Sequence, residues 1–576
     1  MRAVCFAPYS AVWPHLEIEI SHMSRLAKVN YETTFLKCDK DFNTFCNSMS
    51  AYGLKENSEL NMKETICKIC LHSTKTANDF FGINFEFLNK YLDTSDYVEL
   101  SKFKKSITRQ NWNFIEYEGI PIGKFAAYEI LLRYKLKSID VNPTIFEYIS
   151  KQIEYNSLVV KSAINFFSKN NIEVSYVYNE NYSLNKTFQE VAKKFGIRIE
   201  SLQANGPLNS LYSRYAISNV SNSFLEIHKG KEWENFSQTA LSIFQILKIC
   251  KSILVYLSSK SFLIYSTKSK PIIFKSTLRK KYNIPKDKKI LLVTLASQYE
   301  YFAFNFINSD REFPIIEDTT KIISELNAFC VDNPEYYVIL RIHPRELPNK
   351  RENVYSQEAQ KLDSLMKNTR FPKNLIINKP EDNVSAYQLI LLSDYVLNNL
   401  STIGVEANIF GKPVVSLQKN NYQFYPEVLN NYYDTSDISK LDPQLFVKEN
   451  YSKQQNQIVV FRWLYFQYFH STVSKNSNYS RVYFFLMRVL RRLHYRVEVN
   501  PNKVVFKFLT FMLSRPLLKF NSILIRINPR NVLKLSFKEQ SSYQKFLSSP
   551  VKIYLEKKLI TIYCTVISRF LIIIRN

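Results

Sequence analysis

The chain has 576 residues, of which 46% are hydrophobic, and a formal net charge of +26 at pH 7. This length predicts three to four domains, or two large domains with an appendage, and the apolar fraction is ample for large cores. Only 9 residues are glycine, and no Walker-type loop or G-x-G-x-x-G run occurs, so glycine-rich phosphate loops are nearly excluded. The charge predicts an anionic partner: membrane lipid, nucleic acid or a polyanionic glycan.

The first forty residues have the pattern of a doubly wound α/β domain. A strand over 2–7, a loop over 8–15, a helix over 16–26 and a second strand over 31–36 follow one another. No basic start followed by an apolar stretch and a cleavage site is present, so we expect no secretory signal. Eight cysteines then favour free thiols in a reducing compartment, and we expect a protein facing the cytoplasm.

The loop after the first strand carries a candidate general base. His15 is neutral near pH 7 at an ordinary pKa, which suits removal of a proton from a hydroxyl. Glu17 and Glu19 are rival candidates for this role. The alternative is that His15 only caps the helix or packs beside Trp13.

Four cysteines form a candidate structural zinc site: Cys38, Cys46, Cys67 and Cys70. The C-x2-C half suits tetrahedral zinc, because a tight turn can direct two thiolates at one ion, and His72 is a spare ligand. The seven residues between the first two cysteines are less typical. The alternative is four reduced thiols in a small core.

The middle of the chain continues the α/β pattern to a predicted domain boundary near residue 285. After a mostly helical, aromatic stretch, we predict a helix over 144–167, a strand over 173–178, a helix over 183–195 and a strand over 197–202. Turn-rich sequence near 268–271 and 283–286 then indicates a linker. The first domain is therefore predicted to span residues 1–285.

Residues 289–417 alternate strand and helix, which predicts a second parallel sheet. Ligands bind beyond the carboxyl ends of strands in such sheets. Two predicted strands end in polar side chains that form a predicted binding set: Arg341, His343 and Arg345 after the second strand, and Ser401 and Thr402 after the fourth.

These residue types suit a phosphate and a ribose. Hydroxyls and free backbone N–H groups at a helix start bind phosphate, and arginine and histidine add donors for the same anion. Glu406, about one turn into the helix that follows Thr402, could accept hydrogen bonds from ribose hydroxyls. The alternative is a core strand that ends in a solvated basic turn.

The runs RIHPRE (341–346) and STIGVEANIFGKPVV (401–415) resemble the nucleotide-sugar half of GT-B glycosyltransferases, above all those of bacterial capsule and surface-polysaccharide biosynthesis. The His-Pro element is similar to the one that contacts the donor nucleotide in bacterial sialyl- and Kdo-transferases. The likeness implies two Rossmann-like domains facing a cleft, with the donor domain over 286–480 and a C-terminal helix over 457–470 that crosses back to the first domain. It also implies a phosphate-facing loop after the first strand of the donor domain, where Ser297 is the candidate residue.

The likeness further implies transfer of a sugar from a nucleotide-sugar donor, with a slight tilt toward CMP, to a glycan or lipid-linked glycan acceptor on the first domain. We expect no metal or other cofactor to be required for catalysis. Two alternatives stay open: a glycerophosphotransferase-like enzyme with a CDP-polyol donor, since enzymes of teichoic-acid synthesis have a similar layout, and a non-catalytic membrane scaffold of the polysaccharide machinery.

Residues 481–576 carry 19 Lys and Arg against 3 Asp and Glu, or +16 from one sixth of the chain. Large apolar side chains are mixed with these cations, and no stretch reaches the roughly 20 uncharged residues of a spanning helix. We therefore predict helices that lie on the inner face of the membrane, not a nucleic-acid site, which lacks any supporting motif. The alternative is a small helical domain with a solvated basic face.

We predict that the full-length chain binds anionic vesicles and that a chain without residues 481–576 does not. Added salt should weaken the binding, because the Debye length falls from about 10 Å at 0.1 M to about 3 Å at 1 M. Insertion of Phe506, Phe508 and Phe570 should leave a salt-resistant part. Co-sedimentation with vesicles at two salt concentrations measures both parts, and a full-length chain that ignores vesicles at low salt contradicts the prediction.

Overall fold

The computed structural model describes residues 1–219, 231–258, 275–308, 318–348, 353–382, 384–399, 401–417, 431–433, 437–442, 453–475 and 558–563. Within these ranges the strands form two sheets, of seven and six strands. Helices cover both sheets, which confirms the predicted α/β class with two Rossmann-like domains. The predicted helical extension, residues 481–576, lies outside the described ranges except for 558–563.

The first sheet is mainly parallel and carries a buried apolar strand at its centre. Its strands are β1 (Arg2–Phe6), β2 (Glu32–Lys37), β3 (Asn84–Phe87), β4 (Val174–Tyr178), β5 (Arg198–Ala204) and β6 (Arg214–Asn219), in the spatial order β6-β5-β4-β1-β2-β3. Only β6 in this group runs antiparallel to its neighbour. Along β1, Val4 and Phe6 enter one core and Ala3 and Cys5 the other, as expected for a strand covered on both faces.

The helices of this domain lie on both faces of the sheet. They are α1 (Trp13–Lys28), α2 (Asn47–Ala51), α3 (Leu60–Phe81), α4 (Thr94–Lys104), α5 (Ile122–Tyr134), α6 (Pro143–Lys169) and α7 (Ser183–Lys194). The long helix α6 begins where Pro143 occupies the first turn and the Asn142 side chain accepts the Ile145 N–H at 2.9 Å. Short 3-10 turns occur at Leu88–Tyr91, Trp112–Phe114 and Leu208–Ser213.

The second sheet is parallel throughout its described pairings. Its strands are β7 (Lys289–Thr294), β8 (Tyr336–Arg341), β9 (Leu375–Asn378), β10 (Tyr395–Asn398), β11 (Val414–Leu417) and β12 (Asn431–Tyr433), in the spatial order β12-β11-β10-β7-β8-β9. Leu291 and Val293 enter one core, and Ile290 and Leu292 enter the other. The parallel sheet predicted over 289–417 is therefore confirmed.

Helices α8 to α16 lie in the same part of the chain as this second sheet, and the helix over 298–307 buries Ala303 and Ile307 in the core of the first domain. Their bounds are α8 (Lys231–Ser237), α9 (Ile243–Ser258), α10 (Lys275–Lys281), α11 (Gln298–Ile307), α12 (Thr319–Asp332), α13 (Gln357–Asn368), α14 (Ala386–Leu392), α15 (Ile403–Ile409) and α16 (Lys453–Tyr465). Further 3-10 turns occur at Pro380–Asp382 and Ile438–Lys440.

Three helices that precede residue 285 pack on the core of the second sheet. Trp233 of α8, Ile246 of α9 and Leu278 of α10 are buried in the same core as Leu292 of β7. The boundary near 285 stays a prediction.

A short helix over 558–563 also packs on this core, with Ile560 fully buried and the Gln454 side chain donating to Thr561 Oγ1 at 2.9 Å. Part of the predicted membrane-associating extension thus contributes to the second domain. Among the described residues, no helix combines the length and the apolar composition needed to cross a membrane.

The segment over 453–475 joins the first sheet. Helix α16 continues as a π-helix, Phe466–His470, and then as strand β13 (Val473–Ser474). Val473 pairs antiparallel with Tyr215, so β13 extends the first sheet beside β6. Arg25 and Arg214 of the first domain donate to the carbonyls of Ser474 (2.7 Å) and Thr472 (2.6 Å). We call residues 453–475 the crossing segment.

A buried ion pair completes this crossing. Lys475 Nζ contacts Glu17 Oε2, and the two side chains are 4% and 0% exposed. Trp13 Nε1 also donates to Glu17, and Ser21 Oγ donates to the Lys475 carbonyl at 2.8 Å. An isolated buried carboxylate would be unstable, so Glu17 and the crossing segment depend on each other.

We predict that Lys475→Met lowers the free energy of unfolding of the first domain by about 3–5 kcal/mol, because Glu17 would remain buried without its cation. The matched control is Lys440→Met, since the 77%-exposed Lys440 pairs with Asp437 at the surface and such pairs contribute roughly 0–1 kcal/mol. Thermal unfolding of both variants measures the difference. Equal losses of stability would contradict a structural role for the buried pair.

Candidate functional site

Three polar loops meet at the carboxyl edge of the second sheet. β10, β7 and β8 are neighbours in that order and end at Asn398, Thr294 and Arg341. The Thr294 hydroxyl donates to Asn398 Oδ1 at 2.8 Å, and the Asn399 N–H donates to the Thr294 carbonyl at 2.8 Å. The candidate binding residues predicted from the sequence therefore lie at one edge of the sheet, because parallel strands bring their carboxyl ends together.

Gly404 allows the loop after β10 to fold against its own strand. A Cβ at this position would lie 2.6 Å from the Asn398 side-chain nitrogen. Any larger residue would displace the amide that joins β10 to β7. The glycine in the STIGVEA run is thus explained by the close approach of its backbone to the Asn398 side chain.

Ser297 follows β7 and caps α11 without bonding to its backbone. The side chain is 1% exposed, and its Oγ has no hydrogen-bond partner among the described residues. The Gln298 N–H at the same helix start donates to Glu346 Oε1 at 3.3 Å. An unpaired buried hydroxyl is uncommon, so Ser297 is a group that a ligand could satisfy.

The two predicted arginines are engaged in protein contacts. Arg341 donates to the Asn378 side chain and to the Lys379 carbonyl (3.0 Å), which holds the loop after β9. Arg345 contacts Glu300 and donates to the Leu132 carbonyl of the first domain at 3.1 Å. Both guanidinium groups therefore hold loops in place in this state of the molecule.

His343 lies between these arginines. Its Nδ1 accepts the Arg345 backbone N–H at 3.2 Å, which leaves Nε2 as the protonated nitrogen of the neutral ring. Burial, with Arg345, Arg341 and Lys135 nearby, lowers the pKa of His343 to about 4. At neutral pH the residue is thus an uncharged hydrogen-bond donor.

The residues of the STIGVEA run at the start of α15 lie in two different environments. Ser401 Oγ accepts the Ile403 N–H at 3.4 Å, and Thr402 is exposed. Thr402 and Glu406 line a cavity of about 70 Å³ with residues of α9 and of the crossing helix; no residue of the loop after β8 lines it. Burial raises the pKa of Glu406 to about 7, against hydrogen bonds from Tyr387 and Thr402 that lower it.

His15 occupies the carboxyl edge of the first sheet, in the first turn of α1 rather than in the predicted loop. Its ring stacks on Tyr178, the last residue of β4, with centroids 4.0 Å apart, and lies 6.3 Å from Tyr182. Burial lowers the pKa of His15 to about 3, so the imidazole is neutral at physiological pH. The expected neutral ring is present, with a lower basicity than an exposed histidine.

The two rival glutamates have different surroundings. Glu17 is held by Lys475 and Trp13 inside the first domain, as described above. Glu19 lies one turn after His15 on α1 and is 5% exposed. Burial raises the pKa of Glu19 to about 8, so this carboxyl is protonated at neutral pH. A carboxyl that holds its proton at neutral pH would have to lose that proton before it could act as a general base.

Cys38, Cys46, Cys67 and Cys70 surround one small cavity of about 10 Å³. Cys70 Sγ accepts the Ala11 N–H at 3.1 Å, and all four thiols are free. Burial raises the pKa of Cys46 to about 12 and that of Cys67 to about 11. Throughout the described ranges, no group of three or more His, Cys, Asp or Glu side chains could hold a metal ion, so zinc binding stays a prediction.

Two lysines at the end of α5 belong to the same region, although sequence reasoning did not select them. Lys135 Nζ donates to the Leu347 carbonyl at 2.9 Å, and Lys137 Nζ donates to Gln298 Oε1 at 2.6 Å. With the Arg345–Leu132 bond, these contacts join the first domain to the loops after β7 and β8. Partners about 200 residues apart in sequence leave no local pattern that would reveal them.

No protein-family model matches this sequence, and no curated protein matches it either. Among solved structures, the chain is similar to KpsC of Thermosulfurimonas dismutans, a beta Kdo 2,4 transferase, at a TM-score of 0.31 and 13% identity, over 50% of this chain and 78% of that one. The S. aureus MnaA–UDP structure (11% identity, 82% of this chain and 93% of that one) has a TM-score of 0.26. The glycosyltransferase SnogD of Streptomyces nogalater (8% identity, 81% and 94%) also has a TM-score of 0.26. Scores this low carry no argument about function.

We predict that Glu19→Gln changes how stability depends on pH. A carboxyl whose pKa rises from 4.5 to about 8 on folding stabilises the fold fully below pH 4.5, and this stability is lost as the pH rises through about 8. Between pH 5 and 8.5 the wild type should therefore lose on the order of a few kcal/mol relative to Glu19→Gln. Thermal unfolding at both pH values measures this, with the exposed Glu116→Gln as the control; parallel curves would contradict the buried neutral carboxyl.

Proposed function

We propose that the protein is a GT-B glycosyltransferase that moves a sugar from a nucleotide-sugar donor to a growing surface polysaccharide. The observation that carries the proposal is the direct junction between the two domains at the carboxyl edges of their sheets. Arg345 reaches the Leu132 carbonyl, and Lys135 reaches the Leu347 carbonyl in the opposite direction. A donor held by the second domain would then adjoin an acceptor held by the first.

In this proposal the donor phosphates bind the loops after β7 and β8. Ser297 Oγ, His343 Nε2–H and backbone N–H groups are the donors that they offer, and all three kinds suit a leaving phosphate. Arg341 and Arg345 would act on the donor mainly by shaping these loops, unless binding frees them. Ser401, Thr402 and Glu406 would contact the donor from the neighbouring loop.

The acceptor hydroxyl would be deprotonated at the first sheet. His15 remains the proposed base because its ring is neutral and lies at the carboxyl edge beside Tyr178. Glu19 is the alternative, and it would act as a base only after losing the proton that burial stabilises. The acceptor would be a glycan or a lipid-linked glycan at the inner face of a bacterial membrane. The +16 charge of residues 481–576 supports this location, which the vesicle experiment tests.

We expect His343→Ala to weaken nucleotide binding and to leave the fold intact, because the residue lies at a strand end beside the domain junction. A thermal-shift screen of wild type and variant against CMP, CDP, UDP and GDP measures this; a ligand at 100 times its Kd adds about 2.7 kcal/mol. The contrasting variant is His22→Ala, whose buried ring packs on Tyr176. It should lower stability without changing nucleotide affinity.

No nucleotide shift in the wild type would refute the donor site and favour the scaffold alternative. Repeating the screen and the transfer assay with EDTA tests the proposed metal independence. Phosphodiester linkages in the product would refute glycosyl transfer and favour the polyol-phosphate enzyme.

A further inference from the structure

A cavity of about 430 Å³ opens in the first domain beyond the carboxyl ends of β1, β2 and β4. Tyr9 reaches it from the loop after β1, Asn47 from the start of α2 and Leu184 from the start of α7. One face of α5 (Ala126, Glu129, Ile130, Arg133) and one face of α6 (Glu147, Lys151, Glu154, Tyr155) form the longer walls. Its volume lies within the range of small-molecule sites, and its position is the ligand-binding edge of an open α/β sheet.

Glu129 gives this cavity an unsatisfied acceptor. Its Oε1 accepts the Asn47 side-chain amide at 2.8 Å and the Ser183 N–H at 3.0 Å. Its Oε2 is buried and has no hydrogen-bond partner among the described residues. A buried carboxylate oxygen without a donor is costly, and a ligand hydroxyl would supply that donor.

The cations of the cavity are already neutralised. Arg133 pairs with Glu56 and lies over the Phe45 ring, with 4.3 Å between the guanidinium carbon and the centroid. Lys104 and Lys151 both pair with Glu154, at 2.9 and 2.7 Å. Four glutamates line the cavity against these three cations. These pairings leave no unpaired cation in the lining for an anionic ligand, and burial raises the pKa of the Glu129 carboxyl.

Aromatic rings supply the remaining walls: Tyr9, Phe45, Phe146, Tyr148 and Tyr155. Ring faces pack against the apolar C–H face of a sugar, while carboxylates and amides accept and donate to its hydroxyls. A purely apolar ligand would leave Glu129 Oε2 unpaired. The cavity has aromatic walls, a carboxylate oxygen that lacks a hydrogen-bond donor, and cations that are already paired. Together these features match an uncharged carbohydrate.

We infer that this cavity binds an uncharged sugar residue of the glycan acceptor, with a sugar hydroxyl donating to Glu129 Oε2. This assignment rests on the proposed glycosyl transfer. Tyr9 packs edge-on against Tyr182 (5.6 Å), and Tyr182 lies 6.3 Å from His15. Two rings therefore separate the cavity from the proposed base, so it holds a sugar beside the reacting one and selects neutral chains.

An array of neutral and anionic oligosaccharides tests the assignment on the full-length protein. Maltotetraose, cellotetraose and tetra-N-acetylchitotetraose are neutral probes, and oligosialic acid and tetragalacturonic acid are anionic probes. We expect the protein to bind a neutral oligosaccharide on the array and to bind none of the anionic ones. Glu129→Gln should weaken that retention by about tenfold or more, because the free oxygen becomes an N–H donor. The exposed Glu116→Gln should leave it unchanged.

Tyr148→Ala is a second variant that removes a wall without touching the Glu129 hydrogen bonds, and it should weaken the same probe. Thermal unfolding shows whether each variant is folded. Retention of no neutral probe, equal retention of anionic probes, or equal retention by wild type and both folded variants would overturn the assignment. The nucleotide screen is an independent test. If no nucleotide binds but the array still shows oligosaccharide binding, the proposed donor site is refuted and the cavity remains a glycan-binding site.

Discussion

The buried contact between Glu17 and Lys475 fixes the relation between the chain's two halves. The lysine belongs to the segment that leaves the second domain through α16, and the glutamate lies in the first helix of the chain. A carboxylate with no exposed surface needs a cation or a proton, so the first domain is complete only when the crossing segment is in place. The β13–β6 pairing and the arginine–carbonyl bonds then align the segment with the sheet edge.

A second set of polar contacts joins the domains at the opposite side of the site. The Arg345 side chain of the second domain donates to a carbonyl of the first domain, and the Lys135 side chain of the first domain donates to a carbonyl of the second. Residues that the sequence assigns to donor binding therefore also join the two domains, because the loop that carries His343 is held by the first domain. A ligand that moved Arg345 would alter both the anion site and the junction, which couples donor binding to domain position.

Burial changes the chemistry of the candidate residues in opposite directions. It keeps His15 and His343 neutral and keeps Glu19 protonated, because each charged form loses its hydration. The candidate base is thus uncharged at neutral pH, and the loops after β7 and β8 offer oriented hydrogen-bond donors to the proposed phosphate. Such preorganised donors act most strongly where water is excluded.

The alternation of strand and helix was readable from the sequence because apolar runs and their periods are local properties. The alternation predicted over 289–417 contains β7 to β11, and the loops that carry Ser297, His343 and Ser401 follow strands of this sheet. The short strands β3, β6, β12 and β13 were not predicted. β13 has two residues and exists only through its pairing with β6.

By itself, the sequence determined the α/β class, the two parallel sheets and the edge at which the candidate donor residues gather, since parallel strands always bring their carboxyl ends together. Only the tertiary structure decided that Glu17 is part of a structural ion pair, that the arginines hold loops and that α8 to α10 pack on the core of the second sheet. It also decided where Glu129 and its cavity lie. The physical reason is distance along the chain: burial and ion pairing arise between segments far apart in sequence, and neither leaves a periodic trace in the residues that take part.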